Sequence, residues 1–267
     1  MEREVITSPQ NPKVKELLSL QEKPKTRREK GLFVVEGRRE IGHCAAAGLQ
    51  FRCAFVCPDI LPDAEGAVPA GTRIFEVSRP VYEKIAYREG TEGIVAEVVI
   101  PDRTLEGLSL GENPLIVVLE GVEKPGNLGA VLRSADAAGA DAVLVCGGGA
   151  DLYNPNLVRA SIGALFTRQV VATSSEEAIA WLKRKGVRIY TAQLQDSSLY
   201  YDTDFRGPSA IVMGTESTGL TDRWRVAADA HIRIPMLGRL DSLNVSVSAA
   251  ILLFEAVRQR QGQPSRP

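Results

Sequence analysis

The 267-residue sequence holds only four cysteines and two histidines, and no apolar run approaches the roughly 18 residues that a membrane helix requires. Cys44, Cys53 and Cys57 lie in one stretch and Cys146 lies far away, so no pair has the CxxC spacing of a zinc site. We therefore expect buried, reduced thiols and no metal centre. The opening MEREVITSPQ is charged and lacks the apolar core of a signal peptide, which predicts a cytoplasmic protein without a membrane anchor.

The glycine-rich motifs of nucleotide-binding enzymes are also missing. GNLGA, residues 126–130, is too short for the fingerprint GxGxxG, and CGGGAD, residues 146–151, lacks an accompanying Walker lysine. These absences argue against an unrelated nucleotide-binding α/β enzyme. The net charge of −1 says little about partners, because binding depends on where charges cluster.

One charge cluster does stand out near the start of the chain. The stretch KPKTRREK, residues 23–30, contains five basic residues and one acid, and Arg38 and Arg39 follow it. Taken alone, this pattern is typical of a solvated loop or helix face. Phosphate contacts on a nucleic acid are the alternative.

Helix-like and strand-like stretches alternate through both halves of the chain, which predicts an α/β architecture. The first half runs from NPKVKELLSL to GIVAEVVI, and PDRTLEGLSLGENP, residues 101–114, reads as a linker rich in glycine, proline and acids. From Leu115 the strands are almost continuously apolar, as expected for a mostly parallel sheet covered on both faces. NPNLVRASIGALF, residues 154–166, is predicted to be a helix.

Polar residues follow the strands of the second half, at the edge where open α/β sheets bind ligands. In EKPGNLGAVLRSADAAGA, we expect Asn127 to cap a helix that Gly139 ends, with Arg133 one turn inside it. A surface pair between Arg133 and Asp136 is the alternative interpretation of that helix face. In IVMGTESTGL, Glu216 is either a ligand-holding carboxylate or part of a tight turn in solvent.

The third stretch, HIRIPMLGRLDSLNVSVSAAILLFEA, leads a short strand through a loop into an apolar helix. Ser242 and Asn244 can cap the exposed N–H groups of that helix. Capping explains one such residue comfortably, but it explains the whole cluster of small and polar residues less well.

Together the three stretches resemble the signature of the SpoU/TrmH family of S-adenosylmethionine-dependent RNA ribose 2′-O-methyltransferases. The first family motif, N-x-G-x-x-x-R, is met by Asn127, Gly129 and Arg133. The second, G-x-E-x-x-G, is met by Gly214, Glu216 and Gly219. The third, IPM followed by SLNVS, is met by residues 234–236 and 242–246. Residues 154–166 look like a further family segment, with Arg159, Ser161 and Gly163.

The resemblance implies a fold and a partner. It implies a SPOUT methyltransferase domain over residues 113–262 whose C-terminal segment threads a loop to form a trefoil knot, which general rules of chain topology disfavour. Residues 1–100 are similar to an RNA substrate-binding domain of the ribosomal-protein L30e type, which leaves 101–112 as the linker. The family further implies a homodimer.

The resemblance also implies roles for individual residues. The catalytic group would comprise Asn127, Arg133, Glu216, Ser242 and Asn244. The group that binds S-adenosylmethionine would comprise Leu119, Gly214, Ile234, Met236 and Leu243. The RNA-binding group would comprise Lys23, Lys25, Arg27, Arg28, Lys30 and Arg38.

The family's usual base is the arginine of the first motif, here Arg133. A guanidinium group normally keeps its proton, so Arg133 either loses it transiently or stays cationic and stabilises the developing alkoxide. We favour the cationic role. The expected substrate is 23S rRNA, because compact tRNA-directed members often carry terminal helical extensions instead of an extra domain. A tRNA substrate and a non-catalytic RNA-binding or ribosome assembly protein are the alternatives.

Overall fold

The computed structural model describes residues 4–64, 66–87, 92–147, 151–215, 217–239 and 242–261. In chain order the elements are β1 (Glu4–Ile6), α1 (Pro12–Glu22), α2 (Pro24–Lys30), β2 (Leu32–Glu36), α3 (Arg38–Ala46), β3 (Phe51–Val56), β4 (Arg73–Val77), α4 (Arg79–Ile85), β5 (Ile94–Val99), β6 (Leu115–Glu120), α5 (Pro125–Ala137), β7 (Ala142–Cys146), α6 (Pro155–Ala160), α7 (Ala164–Thr167), β8 (Gln169–Thr173), α8 (Ser175–Arg184), β9 (Arg188–Ala192), β10 (Ser198–Leu199), a 3₁₀ turn (Tyr200–Asp202), β11 (Ser209–Met213), α9 (Asp222–Ala227), β12 (Ala230–Arg233) and α10 (Val245–Gln261). None of the described helices is long and apolar enough to cross a membrane.

The chain folds into two compact units. The first contains residues 1–102 together with 151–166, and the second contains 103–150 and 167–267. The domain bounds 1–100 and 113–262 stay a prediction.

The first unit is built on a five-stranded mixed sheet with the order β1-β4-β3-β5-β2. Strand β5 is antiparallel to β2 and β3, whereas the β1–β4 and β3–β4 pairs are parallel. Because side chains of a strand alternate between faces, Val34 of β2 joins the core beneath α1 while Phe33 points the other way. The ring of Phe33 packs 4.6 Å from that of Tyr153 and 5.8 Å from that of Phe166.

The predicted single helix over residues 154–166 is wrong, since the structure has two short helices there. Ile162 has a φ of 53° and Gly163 a φ of 91°, and this left-handed backbone breaks the helix between α6 and α7. A Cβ at Gly163 would lie 2.9 Å from Cγ of His43, so only glycine fits. Ser161 is buried and donates to the Val158 carbonyl at 2.9 Å, while Arg159 is exposed.

The second unit contains a seven-stranded sheet with the order β10-β12-β9-β11-β6-β7-β8, in which every neighbouring pair is parallel. This confirms the predicted α/β class with a mostly parallel sheet. Trp181 of α8 and Trp224 of α9 pack with Ile116 and Val118 of β6 on one face. Helices α5 and α10 pack against each other, and their apolar residues are buried outside that cluster, which puts them on the opposite face.

The stretch between β5 and β6 contains no helix or strand, and all of its residues are described. Leu105, Leu108 and Leu110 nevertheless pack against the tryptophan-containing core of the second unit. Within the predicted linker, the contacts of these three leucines therefore hold the chain against the core of the second unit.

Candidate active site

A cavity of about 340 Å³ opens at the edge of the second sheet where its parallel strands end. Its walls come from the loops after β9, β11 and β12 and from the start of α10. We call it the edge cavity. Five residues of the predicted site line it: Gly214, Ile234, Met236, Ser242 and Leu243. Leu119 does not line the edge cavity, because its side chain is fully buried within β6. Its neighbour in the sheet, Met213 of β11, does line the cavity.

Gly214 shows why the second motif needs glycine. The loop after β11 folds back so that Thr215 and Gly219 form an isolated bridge, with Gly219 N–H donating to the Thr215 carbonyl at 3.1 Å. A Cβ at Gly214 would overlap the carbonyl of Gly219 and lie 2.6 Å from the nitrogen of Leu220. Only the absence of a side chain permits this close approach.

A second cleft adjoins the edge cavity and brings the first and third motifs together. Asn127 lines this cleft, and Thr215, Ser217 and Val245 line both the cleft and the cavity. Asn244 Nδ2 donates to Asn127 Oδ1 at 3.1 Å, across 117 positions of the chain. We call this second space the Asn127 cleft.

The two asparagines play different parts in their helices. Asn244 Oδ1 accepts hydrogen bonds from the backbone N–H of Ser246 at 3.0 Å and from its hydroxyl at 2.6 Å, which confirms the expected capping of α10. Asn127 was expected to cap α5, but that helix begins at Pro125, after Lys124. Asn127 therefore lies in the first turn, where its side-chain oxygen accepts from Asn244.

Arg133 lies on the exposed face of α5 and lines neither the edge cavity nor the Asn127 cleft. The alternative pair with Asp136 is not formed: Asp136 Oδ1 instead contacts Arg168 Nε at 3.0 Å and accepts from the Thr167 hydroxyl at 2.6 Å. The side chain of Arg133 is exposed, and no described residue forms an ion pair with it. Glu216, the remaining member of the predicted catalytic group, lies outside the described residues.

Sequence reasoning missed Glu120, the buried last residue of β6. Its carboxylate accepts from the Ser175 hydroxyl at 3.0 Å and from the backbone N–H of Thr221 at 2.8 Å. These bonds tie the start of α8 and the end of the loop after β11 to the edge of the sheet. An acid closing the apolar run LIVVLE is the signal that could have identified it.

Cys146 lies opposite Glu120 in the parallel ladder. Burial, with the neighbouring carboxylate of Glu120, raises the pKa of the Cys146 thiol to about 12. The thiol is therefore protonated at neutral pH and is no nucleophile. All four cysteines are free and buried, and the described residues contain no cluster of His, Cys, Asp and Glu that could hold a metal.

The basic residues of the first unit divide into two groups. Arg27 is only 1% exposed, forms an ion pair with Asp151, and donates from Nη1 to the carbonyl of Gln21 at 3.0 Å. Arg27 is therefore a structural residue, and the prediction that it contacts RNA is wrong. The other five predicted RNA-binding side chains are exposed: Lys23, Lys25, Arg28, Lys30 and Arg38.

Comparison with known proteins matches two family models to separate parts of the chain. Residues 114–254 match the SpoU rRNA methylase family, and residues 11–96 match the MRM3-like substrate-binding domain. The first match contains all three motif segments that meet at the edge cavity and the Asn127 cleft.

Named relatives point the same way. The chain is 36% identical to the 23S rRNA (uridine(2479)-2′-O)-methyltransferase of Streptomyces viridochromogenes over 64% of its own length and 62%, less than two thirds, of that relative. It is 36% identical to the 23S rRNA (guanosine-2′-O-)-methyltransferase RlmB of Ralstonia nicotianae over 78% of its length and 84% of the relative. A crystal structure of an AdoMet-bound rRNA methyltransferase from Sinorhizobium meliloti superposes with a TM-score of 0.88, at 32% identity over 96% of this chain and 97% of the other.

Proposed function

The chain belongs to the SpoU rRNA methylase family, and we propose that it methylates a ribose 2′-hydroxyl of 23S rRNA with S-adenosylmethionine as the methyl donor. The family, the enzyme class of RNA 2′-O-ribose methyltransferase and the donor agree with the sequence-based prediction, which is thereby confirmed. The choice of 23S rRNA as substrate rests on what the named relatives act on.

One observation carries the proposal: segments far apart in the chain converge on two adjoining spaces. The hydrogen bond between Asn244 and Asn127 joins the third motif to the first, and Gly214 places the second motif beside them. The edge cavity falls within the range of about 300–1,000 Å³ typical of small-ligand sites. Its mixture of apolar side chains and backbone groups suits a nucleoside joined to a polar amino acid.

We assign donor binding to the residues of the edge cavity. Backbone groups of Gly214, Ile234 and Leu243 would hold the donor, with Met236 as an apolar wall and Leu119 in support behind Met213. When bound, the donor supplies a methyl group on a cationic sulfur. The role of the protein is to hold that group in line with the attacking oxygen, because alignment is a large part of the barrier to such a reaction.

We assign the RNA sugar to the Asn127 cleft. The linked amides of Asn127 and Asn244 would orient the ribose, and Ser242 and Glu216 would hold neighbouring groups. Arg133 would remain a cation that binds the adjacent phosphate and stabilises the alkoxide as it develops, while the proton of the 2′-hydroxyl passes to water. Since Arg133 lies outside both spaces in the free chain, it would reach the sugar only once RNA is bound.

We propose that exposed basic residues of the first unit bind the RNA backbone. Lys25 lies 3.7 Å from Glu29, and Lys30 contacts Glu16 at 3.0 Å, so these two charges are partly compensated. Lys23, Arg28 and Arg38 are the stronger candidates. Because phosphate contacts release counterions, this binding should weaken steeply with salt.

The assembly is a further part of the proposal. Helix α10 exposes Val247 and Phe254, each 47% accessible and seven residues apart on one face, which suits contact with a second copy. We retain the trefoil knot, the domain bounds 1–100 and 113–262 and a cytoplasmic location as proposals. The cytoplasmic location is consistent with the proposed ribosomal RNA substrate.

Mapping of 2′-O-methyl groups in total RNA from cells with and without the gene tests the proposed substrate. We expect one 23S rRNA position to lose its methyl group and to regain it on complementation with the wild-type chain. Loss of a tRNA position would instead support the alternative substrate, and an unchanged map would support a non-catalytic role.

The Arg133→Ala variant separates catalysis from donor binding. Because Arg133 does not line the edge cavity, calorimetry should show unchanged affinity for S-adenosylmethionine. Methyl transfer to the mapped RNA should fall at least a hundredfold, within the range typical of a lost transition-state stabiliser. Full activity of the variant would contradict the role proposed for Arg133.

A further inference from the structure

The edge cavity carries two positive charges and, among the described residues, no acidic side chain lines it. The charges are the guanidinium groups of Arg225, from α9, and Arg233, the last residue of β12. Neither belongs to the three motifs, and sequence reasoning assigned a function to neither. A binding site for a purely cationic or neutral molecule would have no use for them.

The two arginines differ in how the protein already uses them. Arg233 Nη1 donates to the hydroxyl of Ser197 at 3.4 Å. Arg225 Nε is buried and has no hydrogen-bond partner among the described residues, while the Arg225 side chain as a whole is 36% exposed. Asp222 Oδ1 lies 3.7 Å from Arg225 Nη1, and the Asp222 side chain is 95% exposed. Such an exposed pair contributes little, so the Nε–H of Arg225 is a buried donor for which the described part of the chain supplies no acceptor.

Only the amino-acid end of the methyl donor carries a negative charge that could pair with an arginine of the edge cavity. S-adenosylmethionine has a neutral adenosine, a cationic sulfur, a cationic amino group and a single carboxylate at the end of its amino-acid part. A guanidinium repels the two cations, but it can donate from Nε and a terminal nitrogen to one carboxylate in parallel. The carboxylate is therefore the only anionic group of the donor and the one that can accept both parallel hydrogen bonds from Arg225.

We propose that Arg225 binds the carboxylate of the donor and thereby fixes the position of the amino-acid part in the edge cavity. The proposal rests on S-adenosylmethionine being the donor. Arg225 would act as a binding residue that distinguishes the complete donor from adenosine-containing molecules without the amino-acid part. Apolar walls of the cavity would make this interaction stronger than it is in water.

Two ligands that differ in the amino-acid part test the assignment by calorimetry, without any methyl transfer. S-adenosylhomocysteine keeps the carboxylate, and 5′-methylthioadenosine lacks the whole amino-acid part. For Arg225→Met we expect affinity for S-adenosylhomocysteine to fall about tenfold or more, as for loss of a hydrogen bond to a charged group. Affinity for 5′-methylthioadenosine should stay within about twofold, because that molecule makes no such bond.

Matched variants make the result specific. Arg225→Lys keeps the positive charge and should recover part of the lost affinity. Arg223→Met lies on the same helix, but its side chain pairs with Glu176 at 2.7 Å and does not line the cavity, so it should change neither affinity. Circular dichroism and thermal unfolding of each variant establish that it is folded.

Several outcomes would overturn the assignment. Equal loss of both ligands in Arg225→Met would mean that the side chain serves adenosine or the shape of the cavity. Unchanged binding of both, or a selective loss of S-adenosylhomocysteine in Arg233→Met instead, would remove Arg225 from the site. If the wild-type chain bound neither ligand, the proposed function itself would fail, and that result is distinct from the others.

Discussion

At the scale of single residues, neighbours in the basic segment have opposite environments. Arg27 and Arg28 are identical in type and adjacent in sequence, yet Arg27 is buried against Asp151 and Arg28 is exposed. Helix α2 turns by about 100° per residue, so one arginine faces the interior of the first unit and the other faces solvent. Composition alone gave both the same predicted role.

This pair of arginines gives a matched test. Arg27→Met should destabilise the protein by about 3 kcal/mol, because it leaves a partly buried carboxylate and two backbone carbonyls without their donor. Arg28→Met should change stability by no more than about 0.5 kcal/mol. Chemical denaturation measures both, and equal midpoints for Arg27→Met and the wild type would contradict the structural role.

The same two variants separate stability from RNA binding. Arg28→Met should weaken binding to a 23S rRNA fragment and reduce the slope of log K against log salt by about 1. Filter binding at several salt concentrations measures this slope. An unchanged slope would remove Arg28 from the RNA-binding surface.

Gly214 gives a second prediction at this scale. Gly214→Ala would push a methyl group into the backbone at Gly219 and Leu220, which should cost about 1–3 kcal/mol and abolish donor binding in the edge cavity. Gly126→Ala is the control, since nothing lies within 4 Å of its added Cβ in the first turn of α5. Thermal unfolding should show the control to be at least as stable as the wild type.

At the scale of elements, the start of α10 combines capping with the contact between motifs. Asn244 uses its amide oxygen for Ser246 and its amide nitrogen for Asn127. One side chain thus begins a helix and aligns a helix from another part of the chain. This dual use accounts for the polar cluster that capping alone did not explain.

The two uses of Asn244 can be separated by substitution. Asn244→Asp keeps the capping oxygen but loses the donor to Asn127, so stability should hold within about 0.5 kcal/mol while methyl transfer falls at least tenfold. Asn244→Ala should lose about 1 kcal/mol of stability as well. Asn154→Asp, which changes the cap of α6 in the same way, should affect neither property.

Periodicity predicted most of these elements but not all of them. Most strands of the parallel sheet are continuous apolar runs and were predicted, but β1, α2, β8, β10 and α9 were not. Strand β1 has only three residues and α2 has only one buried side chain, so neither shows a pattern. At the break between α6 and α7, Gly163 lies close to the ring of His43 on α3. The local sequence gives no sign of this distant neighbour.

At the scale of the whole molecule, the motifs contain many of the residues that line the edge cavity, but not the residues outside the motifs that surround it. Gly214, Ile234, Met236, Ser242 and Leu243 line the edge cavity as a motif would require. Arg225 lies outside the motifs, and the partner proposed for it is a bound ligand. Glu120 also lies outside the motifs, and its partners Ser175 and Thr221 are distant in sequence. Arg27 was misassigned for the same reason, since its partner Asp151 is 124 positions away.

The proposed homodimer is also tested at this scale. Phe254→Asp or Val247→Asp should yield a monomer by light scattering, because burial of an unpaired charge in an apolar contact is unfavourable. Val226→Asp alters a residue that is 86% exposed on α9 and should leave the dimer intact. A wild-type chain that is monomeric at micromolar concentration would refute the dimer.

The composition of the first unit from residues 1–102 and 151–166 limits how this protein can be divided. A fragment cut at residue 102 would leave the guanidinium of Arg27 without its counter-charge and the ring of Phe33 without its aromatic cover. Such a fragment should be insoluble on its own. Recombination during evolution meets the same obstacle. Exchange of the whole first unit between related genes takes three crossovers, after residues 102, 150 and 166, rather than a single junction.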